Sequence, residues 1–202
     1  MTAGGRPEQA AVVAGACAGL PVPVVTVLGN HDHDAGLAAE VASILRDAGV
    51  VVLDGDRCVL DVRGIAVGVV GATGHPGGFP GVAMHGLSER GRSVADERAA
   101  AHARAIDDGL HGVADCATRI VLLHYAPTTD TLAGEDPALW GHLGSQHLAT
   151  PIAAHAPDLV LHAHAHAGSF RGAVAGVPVY NVSSEVLGRE LCLLELAVGV
   201  SA

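Results

Sequence analysis

The sequence contains no lysine and few aromatic residues: every basic side chain is an arginine, and aromatic residues make up 2% of the chain. Its formal net charge is -10 at pH 7. A chain without basic runs or stacking aromatics is poorly suited to bind nucleic acid through its phosphates. An acidic protein that acts on an anionic substrate needs a local positive charge, such as bound metal cations.

Long apolar runs are also missing, so no segment is predicted to span a membrane. The stretch Ala14-Gly15-Ala16-Cys17 loosely imitates a lipoprotein cleavage site, but Glu8 and Gln9 interrupt the apolar segment, and a short amphipathic helix is the preferred interpretation. The four cysteines are scattered without a C-x-x-C pair, which favours free, buried thiols in a reducing compartment. We therefore expect a cytoplasmic protein.

Helical and strand patterns alternate through the first part of the chain, and hairpin-like patterns follow. The predicted helices cover residues 7–20, 35–48, 93–110 and 146–155. The predicted strands cover residues 22–29, 50–53, 58–62, 65–71, 119–125, a segment from 158, 169–176, 177–184 and 190–196. No linker divides the chain, so residues 1–202 are predicted to form a single α/β domain with mixed strand pairing.

Polar clusters follow three of the predicted strands. Gly29-Asn30-His31-Asp32 follows the first strand, His124 ends another, and His162, His164 and His166 follow "LVL". Groups just past the carboxyl ends of strands converge on one crevice in open α/β sheets. Imidazoles and a side-chain amide in one crevice form a divalent-metal site with nitrogen and oxygen ligands.

Less specific interpretations fit some of the same histidines. His124 alone could be a structural histidine, and "HAHAHA" could be a His-rich tract that captures metal without catalysing a reaction. A metal-storage role for the thirteen histidines is a further alternative. It is disfavoured because most of the others are dispersed and are interpreted as surface or loop residues: His75, His85, His102, His111, His142, His147 and His155.

The order of these motifs resembles that of the calcineurin-like metallophosphoesterases. Their motifs are G-N-H-[DE], a strand-end histidine and G-H-x-H, and this chain has "VLGNHD", His124 and "DLVLHAHAH", with Ala163 in place of the last glycine. The later "VPVYNVSS" also resembles a strand of that family. The resemblance implies a layered α-β-β-α sandwich of two mixed sheets.

The resemblance further implies a phosphatase or phosphodiesterase that uses a dinuclear, metal-bridged hydroxide to cleave a small phosphoester. The positions that match the family's metal ligands are Asn30, His124 and His164 for the second metal and His166 for the first. His31 would stabilise or protonate the leaving oxygen. Asp32 would orient His31 through a hydrogen bond.

Two family motifs, D-x-H and G-D-x-x-[DE], have no counterpart before Gly29, because that segment contains neither aspartate nor histidine. We interpret the chain as an N-terminally shortened member that lacks the first two strands, with Thr2 matching the threonine that follows the second motif. The codons upstream of Met1 test this hypothesis. The full-length parent is expected to bind two divalent ions (Mn, Fe, Zn or Ni), and this chain at most one, weakly and with impaired turnover.

The loss of two strands would leave the strand that ends at Gly29 with an open apolar edge, so we expect self-association. A non-catalytic metal-binding or interaction remnant is the rival interpretation. The sequence does not identify the substrate; Tyr125, Arg90, Arg92 and Trp140 are candidate contacts. For His33 and His162, three alternatives are left open: support of the neighbouring ligands, a role on the substrate side, and incidental exposure.

Overall fold

The computed structural model describes residues 2–82, 84–189 and 191–196. The helices are α1 (Pro7–Cys17), α2 (Ala38–Asp47), α3 (Glu89–Gly112), α4 (Trp140–Leu143), α5 (Gln146–His155) and α6 (Ser184–Leu187). The strands are β1 (Val25–Val27), β2 (Val51–Leu53), β3 (Asp56–Val62), β4 (Ile65–Ala72), β5 (Thr118–Leu123), β6 (Leu159–His162), β7 (Arg171–Val174) and β8 (Val177–Asn181). Two 3₁₀ turns cover Asn30–His33 and Thr129–Leu132.

The strands form two sheets. In the smaller sheet β1 pairs in parallel with β2, and Val25 lies opposite Val51. The larger sheet has the order β3-β4-β5-β6-β8-β7. Its four central strands are parallel, whereas β3 and β7 pair antiparallel with their neighbours at the two edges. The predicted α/β fold is therefore confirmed; among the described strands only the larger sheet is mixed.

The order of the layers follows from the side-chain alternation of β4. A Cβ at Gly71 would lie 2.7 Å from Val27 Cγ1 of the smaller sheet. One residue earlier, Val70 points the other way, because strand side chains alternate between faces. A Cβ on Gly109 of α3 would collide with Val70 Cγ1, so α3 packs closely on that face. The larger sheet thus lies between the smaller sheet and the helix α3.

Each outer helix layer has its own apolar core. On one side α1 and α2 pack on the smaller sheet through the buried side chains Ala10, Ala14, Leu28, Val41, Ala42, Leu45, Val50 and Val52. On the other side α3 and α5 bury Ile106, Leu110, Leu148 and Ile152 against the central strands. The result is the α-β-β-α sandwich that the family resemblance implied.

Local sequence signals explain several element boundaries. The hydroxyl of Ser88 accepts a hydrogen bond from Gly91 N at the start of α3, and that of Ser145 accepts one from His147 N at the start of α5. The hairpin between β3 and β4 turns through Arg63 and Gly64, whose φ angles of 57° and 83° are typical of a type I′ turn.

One predicted strand is wrong. Of residues 190–196, the structure describes 191–196, and these form no strand. Leu191 and Leu193 are 78% and 82% exposed. The alternation of apolar residues predicted a strand, but a strand also needs a neighbour with free backbone hydrogen-bonding groups, and no described strand pairs with this segment.

Two further expectations concern edges and thiols. Within the described ranges β1 pairs with β2 alone, so its other edge carries no strand, and self-association through this edge stays a prediction.

All four cysteines are free, but they are half-buried rather than buried. In the part of the chain that the structure describes, no helix is both long and apolar enough to cross a bilayer.

Candidate metal centre and active site

Three of the predicted metal ligands meet where three strands end. Asn30 follows β1, His124 follows β5 and His164 follows β6. Asn30 Oδ1 lies 2.7 Å from His124 Nε2, and the ring centroids of His124 and His164 are 4.6 Å apart. We call these three residues the strand-end cluster. Two of its members are 94 positions apart in the sequence, so the fold creates the cluster.

Gly29 allows the first loop to approach the second. A Cβ at this position would lie 2.8 Å from Cε1 of the His124 ring, which is closer than real Cβ contacts come. The residue before Asn30 must therefore be small for Asn30 to reach His124. This contact gives a physical reason for the glycine of the "GNHD" stretch.

The Asp32 carboxylate holds the loop that carries Asn30. Its side chain is fully buried; Oδ2 accepts a hydrogen bond from Gly29 N at 2.7 Å, and Oδ1 accepts bonds from the Thr2 amide and hydroxyl at 2.6 Å. Burial raises the pKa of this carboxyl, but the hydrogen bonds from Thr2 and Gly29 outweigh that effect and leave the pKa below its usual value. Asp32 is therefore a buried, ionised anchor.

We expected a hydrogen bond between Asp32 and His31, but the structure pairs His31 with Asp34. His31 Nδ1 lies 2.7 Å from Asp34 Oδ2, and both side chains are largely exposed. The reason is the 3₁₀ turn Asn30–His33, in which residues three apart share a face and adjacent residues do not. His31 is thus oriented by Asp34, while Asp32 faces the protein interior.

The two imidazoles of the strand-end cluster are neutral at neutral pH. Burial lowers the pKa of His124 to about 3, helped by the nearby charge of His164. Burial also lowers the pKa of His164 to about 4, helped by His166. A neutral imidazole retains a nitrogen lone pair, which is the form that ligates a metal ion.

The backbone at His164 is strained. Its φ is +71°, in the left-handed region that side chains other than glycine adopt only at a cost. The next residue is held firmly, since Ala165 O accepts hydrogen bonds from Asn181 Nδ2 at 2.7 Å and from Ser183 Oγ at 3.2 Å. Both donors are buried residues of the "YNVSS" stretch. Sequence reasoning noted that stretch but gave it no role.

His162 is a buried support rather than an exposed neighbour. It is 1% exposed, with Nδ1 2.8 Å from Ala163 O and Nε2 2.8 Å from Thr131 Oγ1. Burial lowers its pKa to about 4, so the ring is neutral. A neutral ring satisfies both contacts when Nδ1–H donates to Ala163 O and the Thr131 hydroxyl donates to Nε2.

His166 lies at the edge of the site. Its side chain is 61% exposed, and Nδ1 lies 3.9 Å from Glu185 Oε1 of α6. Its charge lowers the pKa of His164, so the two rings are electrostatically coupled. Among the described residues, no hydrogen bond or ring contact joins His166 to the strand-end cluster.

The donor atoms of the strand-end cluster are of kinds that bind a divalent ion. Asn30, His124 and His164 supply an oxygen and neutral imidazoles, a set suited to a borderline transition metal. Within the described ranges, no compact group of three His, Cys, Asp or Glu side chains is found at these strand ends. Among the described residues, a bridging carboxylate is therefore not part of such a group at the strand ends.

A cavity of about 490 Å³ adjoins the strand-end cluster. Its lining residues are Asn30, His33, Asp54, Thr73, Gly74, His75, Arg98, His102 and Tyr125. Sequence analysis missed Arg98 and Thr73, because only the fold brings α3 and the end of β4 to this opening.

Among the described residues, some polar groups of this cavity have hydrogen-bond partners and others do not. Burial lowers the pKa of His102, and its Nδ1 accepts a hydrogen bond from Gly74 N at 3.2 Å. Thr73 Oγ1, by contrast, is buried without a hydrogen-bond partner among the described residues. Arg98 forms no ion pair within those same residues. Arg98, which is exposed, is therefore available to an anionic ligand.

Of the four candidate substrate contacts, the structure places Tyr125 alone in this cavity. Arg90 is exposed in the first turn of α3, and Arg92 donates to Leu87 O at 2.7 Å. Trp140 packs on the small core around Phe79 and donates through Nε1 to Glu135 O. Arg90, Arg92 and Trp140 therefore do not line this cavity.

Comparison with solved structures identifies proteins of similar fold. A Thermus thermophilus protein, TT1561, is 20% identical with a TM-score of 0.51; the match covers 90% of this chain and 72% of that one. A phosphopantetheinyl hydrolase from Mycobacterium tuberculosis is 16% identical with a TM-score of 0.55; the match covers 80% of this chain and 68% of that one. A Staphylococcus aureus protein provisionally named a 5′-nucleotidase is 17% identical with a TM-score of 0.52; the match covers 87% of this chain and 36% of that one.

This chain therefore spans about a third of the Staphylococcus aureus protein and about two thirds of the other two. At these identities the likeness establishes the fold alone. No protein-family model matches the chain, and no curated protein matches it either.

Proposed function

We propose that this chain is a calcineurin-like metallophosphoesterase that hydrolyses a small phosphoester with the help of a divalent cation bound by the strand-end cluster. The observation that carries the proposal is the 2.7 Å approach of Asn30 Oδ1 to His124 Nε2, with the neutral His164 ring beside them. The names of two proteins of similar fold, a 5′-nucleotidase and a phosphopantetheinyl hydrolase, agree with a phosphoester substrate.

Asn30, His124 and His164 would hold the ion, and Mn, Fe, Zn and Ni all suit these donors. When bound, the ion would supply positive charge to the phosphoryl oxygens and lower the pKa of a water molecule. His166 is the proposed ligand of a second ion, with Glu185 3.9 Å from its ring. The dinuclear mechanism stays part of the proposal.

His31 is the proposed catalytic side chain next to the metal ligands. Asp34 fixes its ring through Nδ1, which leaves Nε2 to face a substrate and to stabilise or protonate the leaving oxygen. Asp32 contributes by holding the loop, not by contacting the substrate. In the adjoining cavity Arg98 would bind the remaining anionic part of the substrate.

A metal-dependent activity assay tests the proposal. Wild type should hydrolyse p-nitrophenyl phosphate or bis(p-nitrophenyl) phosphate in the presence of Mn²⁺, Fe²⁺, Zn²⁺ or Ni²⁺. His164→Ala should lower kcat/KM at least about 100-fold, since it removes a ligand directly. His85→Ala is the matched control, because that side chain is exposed and the contact of this residue with His142 is made by its backbone carbonyl. Equal activity of the two variants would contradict the proposal.

A non-catalytic metal-binding or interaction module is the second candidate. It is favoured by the lack of a compact carboxylate-containing ligand set at the strand ends among the described residues. Under this alternative, His164→Ala weakens metal binding, and wild type turns over neither phosphomonoester nor phosphodiester with any of the four metals. Metal-dependent turnover that His31→Ala abolishes would exclude it.

A further inference from the structure

A second group of metal-ligand side chains lies at the interface of α3 and α5. Asp107 and His111 come from α3, and His155 is the last residue of α5. One donor atom from each of the three lies within 4.8 Å of the other two. We call these residues the helix-pair cluster. It shares no residue with the strand-end cluster or its cavity.

The contacts within this group are close. His155 Nε2 lies 2.8 Å from Asp107 Oδ1, and His111 Nδ1 lies 3.9 Å from Asp107 Oδ2. The rings of His111 and His155 are 4.4 Å apart and nearly perpendicular, with an interplanar angle of 78°. Asp107 and His111 are four residues apart on a helix, so their side chains share one face.

From this geometry we infer that the helix-pair cluster binds a zinc ion, which cross-links α3 to α5. The ligands of a tetrahedral zinc ion lie roughly 3.3 Å apart, and the three donor atoms already lie within 4.8 Å of one another. Two imidazoles and one carboxylate are a common ligand set for zinc. His111 is 71% exposed and Asp107 45%, which leaves the fourth position open to water.

A neighbouring hydrogen bond supports this assignment. His111 Nδ1 lies 3.2 Å from the backbone carbonyl of Asp107, one helical turn earlier. When Nδ1–H donates to this carbonyl, the ring tautomer is fixed and the Nε2 lone pair is available to a cation. Metal-binding histidines characteristically donate their other ring N–H in this way.

The same two helices provide a comparison. His147 of α5 pairs with Asp96 of α3, with Nε2 2.6 Å from Oδ1, and among the described residues this pair has no third ligand nearby. A simple helix-to-helix hydrogen bond therefore needs two residues. The helix-pair cluster adds His111, which such a hydrogen bond does not require and which metal binding does.

Zinc binding by the full chain tests this inference. Isothermal titration should show that His111→Ala and His155→Ala each weaken one zinc site at least about tenfold. His147→Ala should leave that site unchanged, and His164→Ala should remove only binding at the strand ends. If zinc stoichiometry and affinity are the same in wild type, His111→Ala and His155→Ala, the inference is wrong.

Asp107→Asn distinguishes metal binding from simple helix pairing. The amide oxygen can still accept a hydrogen bond from His155, but the negative charge that zinc favours is gone. Melting curves without metal should therefore change little. In a His164→Ala background, which removes zinc binding at the strand ends, the zinc-induced rise in melting temperature should disappear. A rise as large as in wild type would overturn the inference. These readouts do not depend on phosphoester hydrolysis.

Discussion

The strand-end cluster and the helix-pair cluster use different means to bring metal ligands together. The first joins loops that follow β1, β5 and β6, and burial keeps its imidazoles neutral. The second is on two helices, is partly exposed and includes a carboxylate. Strand ends create a recessed site beside a cavity, where a substrate can bind. A helix pair creates a surface site suited to cross-linking.

The largest expected effect comes from the anchor of the first loop. Asp32→Ala removes a buried carboxylate with three hydrogen bonds and leaves the Gly29 amide unpaired, so it should cost about 3 kcal/mol of unfolding free energy. Urea unfolding measures this change. Asp34→Ala is the matched control: its side chain is 54% exposed, and its cost should stay within about 0.5 kcal/mol.

The two aspartates should also differ in function. Asp34→Ala frees the His31 ring, so kcat should fall about tenfold while folding is kept. If Asp34→Ala lowered stability more than Asp32→Ala did, the account of the first loop would be wrong.

A smaller effect is expected from the support of the strained loop. Asn181 is fully buried and holds Ala165 O, next to His164, at 2.7 Å. Asn181→Ala should cost about 2 kcal/mol and weaken binding of Mn²⁺ at the strand ends about tenfold. Ser183→Ala removes a longer hydrogen bond to the same carbonyl and should have a weaker effect. Zinc binding at the helix-pair cluster should not change in either variant.

The smallest effect is expected at α3, which contributes to both regions through Arg98 and Asp107. Arg98→Gln removes a cation from the cavity wall, so KM for an anionic phosphoester should rise about tenfold with kcat nearly unchanged. Arg90→Gln, in the exposed first turn of the same helix, is the control. An unchanged KM in Arg98→Gln would show that Arg98 does not contact the substrate.

The sequence predicted most of the elements, because periodicity is a local signal. The strand-end motifs and the family resemblance pointed to Asn30, His124 and His164, but they also placed His166 at the same point, and it lies at the edge of the site. The strand prediction failed for residues 191–196, since strand pairing depends on a distant partner. The family resemblance implied a hydrogen bond from Asp32 to His31, whereas the 3₁₀ turn places Asp34 beside His31. That turn was not visible in the apolar pattern.

The helix-pair cluster shows a second limit. Asp107 and His111 have helical spacing that could have been noticed, but their partner His155 is 44 positions after His111 and meets it only because α3 packs on α5. The dispersed histidines were interpreted as surface or loop residues, and His155, with a side chain 14% exposed, is neither. Contacts between helices cannot be derived from the spacing of one helix.

Anomalous diffraction from crystals soaked with Mn²⁺ tests the central claim most directly. The account predicts an ion bound by Asn30 Oδ1 and by the rings of His124 and His164, at the mouth of the cavity that contains Arg98. The claim would be contradicted if the ordered strand ends held no ion, or if those three side chains pointed away from one another.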